Sequence, residues 1–191
     1  MQEKNAAYHF WEDRHSHLFG RLLLLKAFKK HGISPSNLFN IEYNYYGRPY
    51  LPNSDYDFNI SHSGNFVICA MAKKLKIGID IETIKAVDFR EFEDVMNEDQ
   101  WNSIHQADDS RELFFNYWAI KESVIKADSR GLSLPLKEIT INYSEKIVKC
   151  QNHIWHFIDL GIDKKIAAFL TTKRKLTNNN LKYVDFYGTE K

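Results

Sequence analysis

The stretch Lys76-Ile77-Gly78-Ile79-Asp80-Ile81-Glu82 constrains this chain more than any other. Side chains of a strand alternate between two faces. Ile77, Ile79 and Ile81 therefore point one way, and Gly78, Asp80 and Glu82 point the other. The isoleucine face demands a core to cover it. The opposite face sets two carboxylates two residues apart, where like charges repel. Water tolerates such a pair, and so does a divalent cation between them. Mg²⁺ takes oxygen ligands, commonly one or two carboxylates plus substrate phosphates. Gly78 on that face leaves room for a ligand to approach. A solvated acidic face and a cation site are both open at this point.

Around that strand the pattern predicts a mixed chain. Residues 11–30 read as a helix, with Leu18, Leu22, Leu25 and Phe28 at steps of three and four. Its basic end, Lys26, Lys29 and Lys30, suits a helix C-terminus, and Gly32 suits the cap. Residues 41–46 alternate like a strand until Gly47-Arg48-Pro49 breaks it. A strand begins at Phe58, and Ser61-His62-Ser63-Gly64-Asn65 reads as a loop. Residues 66–72 and 76–82 read as a hairpin joined through Lys73-Lys74. Residues 88–99 suggest short helices and residues 110–128 a second long helix. Strands follow at 138–143, 147–150, 154–160, 165–172 and 181–187, with a polar turn at 177–180. A long helix followed by antiparallel strands thus occurs twice. The predicted fold is α+β, in two similar tandem halves, residues 1–84 and 85–191, related by a pseudo-twofold.

Two further segments carry chemistry. On the second long helix, Leu113, Tyr117, Ile120 and Val124 form the core stripe. Trp118, Glu122 and Lys126 follow at i, i+4 and i+8 on another face. An exposed Glu–Lys pair accounts for that face, as does a site holding an acid, a lysine and an aromatic wall. In Asn59-Ile60-Ser61-His62-Ser63-Gly64, small hydroxyls, a glycine and a histidine suit an anion. A plain hairpin turn also accounts for them. A serine nucleophile there lacks the G-x-S-x-G elbow and a third partner. His9, His15 and His17 do not share one helix face and form no H-E-x-x-H zinc motif.

Composition narrows the class. The chain has 26 Lys and Arg against 25 Asp and Glu, not the basic excess of a protein that coats nucleic acid. The longest wholly apolar run, residues 66–72, is far short of the roughly 20 residues a membrane-spanning helix needs. Met1-Gln2-Glu3-Lys4-Asn5 lacks the apolar core of a signal peptide. Two cysteines, Cys69 and Cys150, make neither a disulfide framework nor a thiolate zinc site, and they suit a reducing cytoplasm.

Taken in order, Asn59-Ile-Ser-His-Ser63, Gly78-Ile-Asp-Ile-Glu82 and Trp118-Ala-Ile-Lys-Glu-Ser-Val-Ile-Lys126 resemble the 4′-phosphopantetheinyl transferases of the surfactin type, which have two tandem halves. The resemblance runs from about Tyr8 to Leu136. It also covers Tyr46-Gly47-Arg48-Pro49 and Gly131-Leu-Ser-Leu-Pro135. It implies transfer of the phosphopantetheine arm of coenzyme A to a serine of an apo acyl or peptidyl carrier protein. Adenosine 3′,5′-bisphosphate is released and Mg²⁺ is required. By resemblance, Asp80, Glu82 and Glu122 are the metal carboxylates, and the site lies between the halves. Glu122, or a metal-bound water it holds, is the base, and Lys126 stands near the transferred phosphate. Ser61 and His62 fall where the family holds coenzyme A phosphates. Arg48 replaces the lysine frequent in the family's Gly-Lys-Pro element beside the adenine nucleotide, and Lys4 aligns with a 3′-phosphate contact. A monomer is expected, since one chain supplies both halves. Lys73, Lys74 and Lys76 are basic residues available to an acidic carrier. The alternatives are a non-catalytic relative that binds coenzyme A or a carrier, and a Mg²⁺ phosphohydrolase.

Overall fold

The computed structural model describes residues 11–177. Lys4, His9, the expected strand at 181–187 and most of the expected turn at 177–180 lie outside the described residues. Helix α1 spans Trp11–Lys30. Its buried seam is Ser16, Gly20, Leu24 and Phe28, an i, i+4 row. The expected Leu18/Leu22/Leu25 stripe is only partly covered, and Leu18 is half exposed. Gly20 sets this rotation: a Cβ there would stand 2.9 Å from Ile60 Cγ2. The helix therefore turns its bare flank to the sheet below.

That sheet is a two-stranded hairpin, β3 Tyr56–Ser63 and β4 Phe66–Lys73. A much shorter pair, β1 Glu42–Tyr43 and β2 Pro49–Tyr50, precedes it. Gly64-Asn65 closes the hairpin, with φ +55° at Gly64, as a type II′ turn requires. Two expectations are corrected here. Ser61, His62 and Ser63 belong to a strand rather than a loop. The partner of β4 is β3, and the chain leaves β4 for a different sheet. One hairpin face carries Phe58, Ile60, Cys69 and Met71 against Leu24 and Phe28. Phe28 and Phe58 meet edge-on at 6.4 Å.

The second sheet is antiparallel, in the order β5 Ile77–Thr83, β9 Ile166–Thr172, β8 His153–Asp159, β7 Ile147–Cys150, β6 Thr140–Asn142. Helices α2 Glu98–Gln106 and α3 Ser110–Asp128 precede β6. An Asn97–Gln100 capping box starts α2. The Asp109 carboxylate accepts from the Arg111 and Glu112 amides and starts α3. One face of the sheet packs with α3, through Trp155, Phe157 and Phe169 against Ile120 and Val124. The other face, with Ile79, Ile81, Ile158 and Leu170, is covered by Ile68 and Ala70 of β4. The layers run α1, hairpin, five-stranded sheet, α3. The chain is α+β. Strand β5, placed in the first half by a boundary at residue 84, is a member of the second sheet. The described halves are unequal, with two long strands beside α1 and five beside α3.

Gly78 explains how close α3 comes. A Cβ there would lie 1.9 Å from the Ser123 carbonyl oxygen and 2.5 Å from the Ala127 nitrogen. The space expected for a ligand is filled by the helix backbone.

Candidate active site

Strand β5 is hydrogen-bonded to β9 along one edge. Along the other edge, side chains of β3 take the place of a neighbouring backbone. The Ile77 amide donates to Asp57 Oδ2 at 2.9 Å, Ile79 to Asn59 Oδ1 at 2.8 Å and Thr83 to Ser63 Oγ at 3.0 Å. These rungs answer the requirement that buried backbone donors be paired. They also bring every second side chain of β3 up to the carboxylate face of β5.

On that face Ser61 Oγ donates to Asp80 Oδ1 at 2.8 Å, and Ser63 Oγ donates to Glu82 Oε2 at 3.1 Å. Lys126 reaches down from α3. Its Nζ donates to Ser61 Oγ at 2.8 Å and lies 2.5 Å from Asp80 Oδ1. Asp80 is buried, and its Oδ2 has no hydrogen-bond partner. Burial pushes the Asp80 carboxyl above its ordinary value, with Lys126 and Ser61 pulling against it. Glu82 is raised by burial and then by the Asp80 charge, while Ser63, Lys126 and Trp118 lower it. Glu122 is raised by burial and by Asp80, with Lys126 opposing. Three carboxylates thus share one electrostatic environment with one lysine. Trp118 completes the wall, its ring edge-on to Phe92 at 5.2 Å.

The cluster stands where β3, β5 and α3 meet. It holds Ser61, Asp80, Glu82, Glu122 and Lys126 from the sequence reading, together with Ser63. Among the described residues no three His, Cys, Asp or Glu side chains are gathered as a ready metal cage. The orphaned Asp80 Oδ2, and the Asp80 charge that raises Glu82 and Glu122, still fit a hard cation, which binds through one or two carboxylates and substrate oxygens.

His62 and Arg48 lie elsewhere. His62 is exposed, with Val67 as its β4 partner, on the α1 side of β3 opposite Ser61 and Ser63. Arg48 is buried at the joint of the halves. Its Nη2 donates to the Ile77 carbonyl at 2.7 Å and Asp57 Oδ2 at 2.9 Å, and its Nη1 to Ser129 Oγ at 3.0 Å. This guanidinium fastens β2, β3, β5 and the C-cap of α3 together.

The sequence reading missed Asp57, Ser63 as a Glu82 partner, and Lys121. Lys121 is fully buried on α3, between the Val95 and Leu136 carbonyls. Its signal was available: Tyr117 and Ile125, four residues to either side, put a charge on an apolar row.

The family model of the 4′-phosphopantetheinyl transferase superfamily matches residues 76–173, and that of the 4′-phosphopantetheinyl transferase N-terminal region matches residues 1–74. The two matches meet where the chain leaves β4 for β5. The chain belongs to the 4′-phosphopantetheinyl transferase superfamily. A 4′-phosphopantetheinyl transferase of Bacillus subtilis is 34% identical over 149 residues, covering 75% of this chain and 65% of the relative. The 4′-phosphopantetheinyl transferase Sfp of Bacillus subtilis (strain 168) is 32% identical over 143 residues, covering 73% and 63%. The L-aminoadipate-semialdehyde dehydrogenase-phosphopantetheinyl transferase of Xenopus laevis is 30% identical over 161 residues, covering 75% and 53%. The matched region is less than two thirds of these relatives' lengths.

Proposed function

We propose that this chain transfers the 4′-phosphopantetheine group of coenzyme A to a serine hydroxyl of an apo acyl or peptidyl carrier protein, with Mg²⁺, and releases adenosine 3′,5′-bisphosphate. The observation that carries the reading is the Ser61–Asp80–Lys126 hydrogen-bonded cluster, flanked by Glu82 and Glu122, in a chain of this family.

In the reaction the serine oxygen bonds to the phosphorus carrying the pantetheine arm, and the bond from that phosphorus to the bisphosphate oxygen breaks. Asp80, Glu82 and Glu122 would hold Mg²⁺, which supplies charge neutralisation for the departing bisphosphate. Glu122, or a metal-bound water it would hold, accepts the serine proton. Lys126 places a positive charge beside the phosphate as negative charge builds on the leaving oxygen. Ser61 holds Lys126 and Asp80 in register through its two hydrogen bonds. His62, exposed and remote from the cluster, suits a phosphate distant from the reacting bond, and we assign Lys4 to the 3′-phosphate. With its guanidinium committed to protein, Arg48 serves the nucleotide by fixing the turn at 44–48.

We place the enzyme in the cytoplasm as a monomer. Cys69 and Cys150 are free thiols, as a reducing compartment keeps them, and one chain supplies the whole cluster. No helix among the described residues is long and apolar enough to cross a membrane.

The test is mass spectrometry of candidate apo carriers after incubation with coenzyme A and Mg²⁺. One phosphopantetheine gained on a serine supports the reading. Coenzyme A hydrolysed without modification of any carrier overturns it in favour of a phosphohydrolase.

A further inference from the structure

Among the described residues, strand β4 has a strand neighbour along one edge only, β3. The register shows which groups the other edge presents. Gly64-Asn65 is a two-residue turn, so Ser63 and Phe66 form the hydrogen-bonded pair that closes it. Hydrogen-bonded and non-bonded pairs alternate along an antiparallel ladder. Ser61 is therefore bonded to Ile68 and Asn59 to Ala70, and the Lys74 amide donating to the Asp55 carbonyl continues the same series. The N–H and C=O groups of Val67, Cys69 and Met71 point away from β3. This open edge is eight residues long, apolar as far as Lys73 and without proline. Edges in proteins are ordinarily short, charged, interrupted or covered, because an open one templates pairing.

In the second sheet the corresponding strand is closed on both sides: β9 has β8 along one edge and β5 along the other. The course of the chain names a segment that would do the same for β4. Strand β9 ends at Thr172, paired with Ile77, just beyond the end of β4. Leu176 then packs with Ile68 and Ala70 of β4 against Ile79, Ile158 and Leu170. The run Leu181-Lys-Tyr-Val-Asp-Phe-Tyr187 begins five residues further on, a span of up to about 17 Å. Alternation puts Leu181, Tyr183 and Tyr187 on one face of that run and Val184 and Phe186 on the other. Apolar residues on both faces suit a strand with a layer on either side. The hairpin occupies such a place, between α1 and the five-stranded sheet.

We propose that the open edge of β4 is a docking site for residues 181–187 of the same chain, which add a third strand to the hairpin by hydrogen-bonding to the backbone of Val67, Cys69 and Met71. A two-stranded hairpin is marginal in water by itself, and a third strand is what gives such a sheet its own stability. The hairpin braced in this way carries Ser61 and Ser63, the partners of Asp80 and Glu82. The inference stands independently of the transferase reading.

The experiment is amide hydrogen exchange on the full chain, read residue by residue by NMR, with nuclear Overhauser contacts collected across β4. The parent is compared with the double variant Tyr183→Pro/Val184→Pro. Proline has no N–H, so one of the two substitutions removes a ladder donor whichever set of alternate residues faces β4. In the parent, the Val67, Cys69 and Met71 amides are expected to exchange at least about 10²-fold more slowly than in an unstructured chain, with contacts to residues 181–187. In the double variant the same three amides exchange at least about 10-fold faster than in the parent. Those of Ile68 and Ala70, bonded to β3, change by less than about threefold. Unprotected Val67, Cys69 and Met71 amides in the parent overturn the proposal, as does protection that the prolines leave unchanged. Protection that grows with protein concentration, beside a dimer in sedimentation velocity, gives the edge to a second copy of the chain and also overturns it. If the double variant does not fold, the parent decides: protected amides with no contact between β4 and residues 181–187 overturn the proposal, and protected amides with those contacts support it.

Discussion

The Lys126 ammonium lies 2.5 Å from Asp80 Oδ1 and 2.8 Å from Ser61 Oγ, so the buried carboxylate open to a cation is already engaged by a side chain of the same charge. If Asp80 holds the metal as proposed, lysine and metal would compete for it. Lys126→Ala is therefore expected to bind Mn²⁺ about five- to tenfold more tightly, the equivalent of about 1 kcal/mol for a partly exposed pair. Its kcat falls about 10²-fold through lost charge stabilisation. Electron paramagnetic resonance titration with Mn²⁺, beside the transfer assay, reads both effects. Weaker Mn²⁺ binding in the variant contradicts the competition.

The raised carboxyls of Glu82, Asp80 and Glu122 give the metal-free protein a pH signature. A carboxyl whose folded pKa exceeds its unfolded value is favoured by folding in its protonated form. Its contribution is present below the unfolded value, about 4.3 for glutamate, and is lost as pH rises through the folded one. Glu122→Gln removes this dependence at one position. The variant is expected to be more stable than the parent at pH 8, and the gap to close as pH falls towards 5. Chemical denaturation at several pH values, with chelator present, measures it. A gap that widens on acidification reverses the sign and refutes the shift.

Gly78→Ala drives a methyl group into the Ser123 carbonyl and the Ala127 amide. Both are backbone of the same helix, so the helix must move as a body. A stability loss of about 2–3 kcal/mol is expected, together with loss of transfer as Lys126 is carried away from Asp80. Urea denaturation and the transfer assay together check it. A variant with parental stability would show that α3 sits further from β5.

His62→Ala is expected to raise the KM for coenzyme A more than it lowers kcat, since His62 faces away from the Ser61 and Asp80 side of β3. The same comparison with 3′-dephospho-coenzyme A locates the contact. Equal losses with both substrates remove the 3′-phosphate from consideration. A fall in kcat alone would place the imidazole at the reacting bond.

Much of this architecture is legible in local pattern. The Ile77/Ile79/Ile81 alternation correctly marks a strand covered on that face, because period-two burial has no other simple cause. Tyr117, Ile120 and Val124 likewise mark the buried side of α3. Failures of local reading have a common origin in contacts made at long range. Ser61-His62-Ser63 has turn composition because its serines serve as hydrogen-bonding partners for another strand, a role that residue type alone does not show. Leu18 fits a helical stripe, yet Gly20, a weak helix former, decides which flank meets Ile60. Arg48 looks like a free cation beside Pro49, while its partners lie in β3, β5 and the end of α3. The Asp80, Glu82, Glu122 and Lys126 group was found through spacing and resemblance. Ser63 was overlooked as a Glu82 partner because β3 was ended too early.

Ordinary strand pairing is nearly blind to residue identity, since one amide meets another whatever the side chains. The β3–β5 seam is different, because Asp57, Asn59 and Ser63 supply its acceptors. It works as a keyed joint, in which the order of teeth on one piece selects the position of the other. Homologous halves could be recombined only with matching keys. Grafting a foreign hairpin with alanine at these positions would leave three β5 amides without acceptors and Glu82 without its hydroxyl. The alignment of the acidic strand with Ser61 is thus written as a short code in β3.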